Sequence, residues 1–372
     1  MSYMSRAALA ACTAIAFAVP ASADTFVRMV SGPSGGSWYP LAAKIMAVMQ
    51  EEIPGIATSS TSGGGSSNVM SVNGGDAEIG FSYAHTSANG FNGVGKFDKS
   101  QENVRHFATL YGSMFQVAVR EDSDIQSFED MAGANISPGK ARWTGTAFAE
   151  SILSAYGITF DSIKENGGTV HHVGYTESIA LMKDGHIDVF MAATNMPQAS
   201  FLELEQSPGI RFIGLPKDVQ EQLIADNPGY IEGTMPAGVY QSVTEDLNSL
   251  GIVVNMVVHK DMDEELVYQM CNVMWDNHAQ FAEVKSVWNR TDVNDAMTGV
   301  GIPVHPGAQR CYEERGVTPA SCGPTAERPA ARRSHRRAAL SAAPARAGRA
   351  APPFVPRRAL RGALPSRRGA LP

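Results

Sequence analysis

Ser31-Gly32-Pro33-Ser34-Gly35-Gly36-Ser37-Trp38-Tyr39-Pro40 joins an extended run at residues 25–30 to a run of helical period at residues 38–51. Leu41, Ile45, Val48 and Met49 fall on one face of the second run, which predicts a helix. Ser37 stands where an N-cap belongs, and Pro40 falls in the first turn, where its missing N–H costs nothing. The junction carries no metal ligand and no catalytic base. It offers glycine backbone and hydroxyls at the positive end of a helix, a chemistry suited to holding a small anion.

The same strand, loop and helix grammar recurs outward from this segment. Residues 56–60 read as a second strand, followed by Ser62-Gly63-Gly64-Gly65-Ser66-Ser67-Asn68 and a helix through Val69, Met70 and Val72. Residues 75–81 turn into a third strand, and 107–120 are strongly extended. A short helix at 128–131 and a short strand at 135–137 precede a Gly/Thr loop at 139–146, which opens a helix through Leu153 and Tyr156. Strands at 170–173, 187–191 and 252–259 alternate with helices at 176–183 and 264–282. The alternation predicts an α/β fold of mainly parallel sheets flanked by helices. Three helix starts, at 34–37, 65–68 and 144–146, combine glycine with hydroxyl or amide side chains after a strand. In open α/β sheets ligands lie at the carboxyl ends of strands, so a shared ligand cleft is expected.

Composition narrows the class. The first 23 residues have the form of a secretory signal: Arg6, an apolar run at 7–19 and the small-residue site Ala21-Ser22-Ala23. Cleavage after Ala23 is expected to deliver the chain to the periplasm. Cys12 falls too early in the apolar run for a lipoprotein site. Residues 321–372 hold 12 of the 30 basic residues, all arginine, among Ala, Pro, Gly and Ser. Such a tail cannot build a core and is expected to be disordered. It reads either as a basic arm for nucleic acid or anionic lipid or, the favoured reading, as a GC-rich alternative reading frame. Residues 24–320 carry 17 basic and 36 acidic residues, a net charge of −19, which argues against nucleic acid as a partner. Their length suits two lobes. Cys271 and Cys311 can pair in an oxidising compartment, but spacing alone leaves this open.

Several motifs compete for function. Gly32-Pro33-Ser34-Gly35-Gly36 matches G-x-S-x-G, which makes a secreted serine hydrolase using Ser34 the enzyme alternative. Its place at the first strand, and the lack of an HGGG-type segment, weigh against it. The stretch 133–140 has the wrong spacing for a phosphate-binding loop. No histidine or cysteine spacing indicates a metal, and no cofactor is expected. Lys140 and Arg142 are the clustered cations beside a ligand-type loop, and Arg142 is the candidate carboxylate fork. Trp38 and Trp143 read equally as cleft walls or ordinary packing.

Taken in order, Gly35-Gly36-Ser37-Trp38-Tyr39-Pro40-Leu41, Gly65-Ser66-Ser67-Asn68-Val69, Gly145-Thr146, the segment 180–188, Met235-Pro236-Ala237-Gly238-Val239-Tyr240 and Val304-His305-Pro306-Gly307-Ala308 resemble the TAXI type of TRAP-transporter solute-binding proteins. The likeness spans roughly residues 25–318. It implies a two-lobed periplasmic binding protein of type II-like fold, with no catalysis. Lobe one would be 24–117 plus 255–318, and lobe two 118–254, with crossings near 116–120 and 253–257. It implies a monomer that closes on a small carboxylate, such as glutamate, glutamine or 2-oxoglutarate, and delivers it to a TRAP membrane permease driven by an ion gradient. A sensory receptor without transport is the other alternative. Gly36, Ser37, Trp38, Tyr39, Gly65, Ser66, Ser67, Asn68, Gly145 and Thr146 carry over as ligand contacts. Where the family commonly has Pro-Gly-Ser-Gly-Thr, this chain has Arg142-Trp143-Thr144-Gly145-Thr146. Its two bulky residues either add a carboxylate clamp or fill part of the pocket. Asn195, in the segment 192–197, is a further rim candidate where the family is usually Gly-rich.

Overall fold

The computed structural model describes residues 25–227 and 229–317. The expected signal segment and the arginine-rich tail lie outside these residues. In chain order the elements are β1 (Thr25–Val30), α1 (Trp38–Glu52), β2 (Ile56–Thr61), α2 (Gly65–Gly74), β3 (Ile79–Tyr83), α3 (Ala84–Asn92) and β4 (Val104–Arg120). There follow β5 (Asn135–Ser137), α4 (Thr144–Ala155), α5 (Phe160–Glu165), β6 (Thr169–Val170), α6 (Tyr175–Lys183), β7 (Val189–Thr194), α7 (Ala199–Gln206), β8 (Ile210–Phe212) and α8 (Lys217–Asp226). The described chain ends with β9 (Ile231–Met235), β10 (Leu247–His259), α9 (Glu264–Asp276), α10 (His278–Val284) and α11 (Pro306–Glu314).

The strands form a mixed sheet in the order β2-β1-β3-β10-β4-β7-β5-β6, with β9 added to β10 and β8 to β4. The outer strands pair in parallel: β1 with β2 and β3, and β5 with β6 and β7. The two long strands β4 and β10 run antiparallel to each other and to β3 and β7. The expectation of mainly parallel pairing therefore holds for the outer strands. It gives way at the centre, where the chain crosses from one half of the sheet to the other and returns.

The exchange of partners is sharp. On β10, residues through Gly251 pair with β9, and residues from Val254 pair with β3. On β4, Met114 is the last residue in register with β10 and the first in register with β7. The crossing thus lies slightly earlier on β4 than the expected 116–120.

Side-chain alternation explains the helical layers on both faces. Every residue of β7 is buried. Val189, Met191 and Ala193 enter one core, while Phe190 and Ala192 enter another. On β10, Val254, Met256 and Val258 share a core with α1 and α9, and Val257 joins a third core with Val69 and Val72 of α2. Period-two burial on both sides requires apolar residues at successive positions, which is why these strands read as continuous apolar runs.

Two expected helices differ in detail. Residues 129–133 form a 3-10 turn instead of an α-helix. The helix expected over 264–282 divides at Asn277, whose side chain donates back to the Val273 carbonyl. The Cys271–Cys311 disulfide, left open by spacing, is formed and ties α9 to α11.

Candidate functional site

The carboxyl ends of β1, β2, β3, β5 and β7 lead to one small cavity between the two halves of the sheet. It has a volume of about 30 Å³ and is lined by Pro33, Gly36, Ser37, Trp38, Gly64, Gly65, Tyr83, Trp143, Thr144, Gly145, Tyr175, Ala193 and Thr194. The N-termini of α1, α2 and α4 meet here, at Trp38, Gly65 and Thr144. First-turn N–H groups have no intrahelical acceptor, so three positive dipole ends converge.

Aromatic rings make the walls. Trp38 stacks on Phe81 at 5.3 Å and packs against Tyr83 at 4.8 Å. Trp143 meets Tyr175 edge-on at 5.6 Å. Tyr83 and Tyr175, from opposite halves, both donate their hydroxyls to the Ala193 carbonyl, at 2.9 and 3.3 Å. Burial raises the pKa of both phenols, so they remain neutral. No Lys, Arg, His, Asp or Glu lines the cavity.

The halves touch closely. A Cβ on Gly64 would lie 2.3 Å from Trp143 Cδ1, and one on Gly65 would lie 2.2 Å from Thr144 Oγ1. Gly35, at φ +81°, takes the left-handed conformation that lets the 31–37 loop reach the second half. There its carbonyl accepts from Gln198 Nε2 at 2.8 Å and from Ser200 Oγ at 3.3 Å. Ser37 Oγ donates to Asn195 Oδ1 and lies 3.4 Å from Thr194 Oγ1. At the back, Thr144 Oγ1 sits 3.2 Å from both Ser66 Oγ and Thr86 Oγ1. Beyond this hydroxyl wall opens a wider cleft of about 570 Å³, whose lining includes His85, Asn89, Lys96, Glu150 and Tyr230. The Lys96–Glu150 ion pair bridges it.

Of the residues expected at the site, Gly36, Ser37, Trp38, Gly65, Trp143, Thr144 and Gly145 line the cavity. The rest are elsewhere. Tyr39 is 43% exposed on the outer face of α1. Ser67 closes its own turn by donating to the Gly64 carbonyl at 2.7 Å. Asn68 is a buried staple, donating to Ser31 and Phe81 carbonyls at 2.6 and 2.8 Å and accepting from Gly64 N–H at 2.9 Å. Thr146 donates to the Pro138 and Lys140 carbonyls at 3.1 and 2.8 Å, which shapes the loop before α4. Ser66 stands in the back wall, and Asn195 at the rim.

Three expectations need correction. Ser37 occupies the N-cap position but makes no cap hydrogen bond, because its hydroxyl is turned across the cleft. Arg142 is exposed, outside the cavity lining, and makes no hydrogen bond or ion pair among the described residues. Its neighbour Trp143 turns inward and lines the cavity instead. Ser34 is exposed, and its hydroxyl accepts from Thr176 at 3.4 Å with no histidine in reach among the described residues. Sequence reading missed Pro33, Gly64, Tyr83, Tyr175, Ala193 and Thr194 as lining residues. Tyr83 and Thr194 end β3 and β7, and the carboxyl-end rule for strands would have found them.

A family model matches residues 29–316. The chain belongs to the NMT1-like family. Solved structures of similar shape include an ancestral arginine-binding protein bound to arginine, 11% identical over 71% of this chain and 97% of that one, TM-score 0.42. A putative L-cystine ABC transporter from Listeria monocytogenes is 11% identical over 72% and 98%, TM-score 0.43. The alkanesulfonate-binding protein from Xanthomonas axonopodis pv. citri, bound to MOPS, is 11% identical over 79% and 84%, TM-score 0.41. Among the described residues no His, Cys, Asp and Glu cluster forms a metal site, and no helix is long and apolar enough to cross a membrane.

Proposed function

We propose that this NMT1-like chain is an extracytoplasmic solute receptor that closes two lobes around a small carboxylate and hands it to a membrane permease. One observation carries the reading: three helix N-termini from both halves of the sheet converge on one small, charge-free cavity. Converging N–H groups hold an anion without a counter-ion, and a binding step without chemistry needs no more. The two halves serve as the lobes, with the partner exchanges near Met114 and Gly251–Val254 as the hinge segments. The hydrogen bonds from Ser37, Gln198 and Ser200 across the cleft act as the closing latch. The permease is of the TRAP type on the strength of the ordered motifs alone.

A thermal-shift screen of amino acids, monocarboxylates and dicarboxylates tests the reading. A ligand that binds only the native state at a hundredfold excess over Kd stabilises it by about 2.7 kcal/mol. A screen in which no anion raises the melting temperature would overturn it. Arg142→Ala should leave the affinity for the best anion unchanged. Transport of that anion by a reconstituted TRAP permease, dependent on this receptor, tests the partner; uptake only through an ATP-driven permease would correct it.

A further inference from the structure

We infer that Trp143 restricts this receptor to compact monoanions, of the size of acetate or propionate, and excludes amino acids and dicarboxylates. The inference rests on the receptor reading above and names its substrate class. Trp143 lies in the cleft between the halves, against the bare backbone of Gly64 on one side and the ring of Tyr175 on the other. It is 7% exposed, so the indole is part of the closed interface and not a surface flap. With the indole in place the small cavity takes a carboxylate group and a short apolar stub, walled by the joined rings of Trp38 and Tyr83 on one side and by Trp143 and Tyr175 on the other. A longer ligand has no exit at the back, because the hydroxyls of Ser66, Thr86 and Thr144 close the way to the wider cleft.

Charge points the same way. A second carboxylate, or an α-ammonium, needs a partner of opposite sign when removed from water. The lining supplies none: of the two loop cations, Lys140 lies over the Trp143 ring at 5.7 Å, outside the lining, and Arg142 is exposed. A single negative charge is met by the three helix N-termini.

The test is a melting and calorimetry panel with acetate, propionate, glutamate and 2-oxoglutarate on the wild type, Trp143→Ala and Trp143→Leu. The expected result is stabilisation of the wild type by acetate or propionate, by about 5 °C at saturating ligand, with no response to the two larger acids. Trp143→Ala should gain tenfold or more in affinity for glutamate or 2-oxoglutarate, about 1.4 kcal/mol. Trp143→Leu, closer to the wild type in bulk, covers the case in which the alanine variant fails to fold. Wild-type binding of glutamate or 2-oxoglutarate at least as tight as that of acetate would overturn the size limit while leaving the receptor reading intact. No response of any variant to any of the four acids would overturn both.

Discussion

Asn68 is the side chain on which the first half of the site hangs. It is 1% exposed, and its amide joins the ends of β1 and β3 to the turn that opens α2. Removing it strands buried carbonyls that have no water to turn to. Asn68→Ala should therefore cost about 3 kcal/mol in urea unfolding, and Asn68→Asp, which keeps the shape but loses the donors, should cost about as much. A loss under about 1 kcal/mol for both would show that the carbonyls find other partners. His106 is also buried, donating Nε2–H to the Ala296 carbonyl at 2.9 Å, and burial lowers its pKa to about 4. The unfolded chain binds a proton near pH 6.5 where the native chain does not. The stabilisation is therefore full above pH 6.5 and is lost as pH falls toward 4, by up to about 3 kcal/mol. His106→Gln should flatten the stability profile over that window; an unchanged slope would assign the acid sensitivity elsewhere. Sequence placed Asn68 at the right turn but in the wrong role. A Gly/Ser/Asn loop advertises polar groups without saying which of them the fold itself consumes.

At the scale of elements, the helix starts and strand ends were legible because their patterns are local. Leu41, Ile45, Val48 and Met49 repeat at helical spacing and are buried in α1. The direction of side chains at a helix start is set across the cleft instead, by residues far away in sequence. Ser37 turns to Asn195, Trp143 turns in and Arg142 turns out for that reason. Gly64 shows how tight this opposition is. Its backbone is extended, open to any residue, yet a Cβ would meet the Trp143 ring. Gly64→Ala should leave the unfolding free energy of the first half nearly intact while wedging the cleft open. It would be read as a larger radius of gyration in scattering and weaker anion binding. Trp143→Ala in the same chain should restore closure, because the clash needs both partners. Equal radii for wild type and Gly64→Ala would mean that the indole shifts freely and closure does not depend on this contact.

The described residues share one mixed sheet built from two halves, and the pairing that unites them was the least legible part. β4 and β10 are 141 residues apart where Val253 pairs with Gly112, along a shared register that only the fold reveals. Their continuous apolar character marked them as strands but not as the antiparallel centre between parallel wings. The Cys271–Cys311 link is a second long-range fact that spacing left open. It fastens α9 to α11 in the half that carries β1 and β3, and neither helix lines the cavity. The closed loop has a sequence separation of 40, for which the chain-entropy account gives about 4 kcal/mol of stabilisation. Reduction should therefore lower the melting temperature by several degrees without altering the shift produced by a bound anion. The two quantities separate because the bond restrains the unfolded chain, while the anion acts on the cleft. A melt with and without dithiothreitol, each with and without acetate, checks this. A reduced protein that melts lower and also loses its anion response would show that α9 and α11 support the cleft itself.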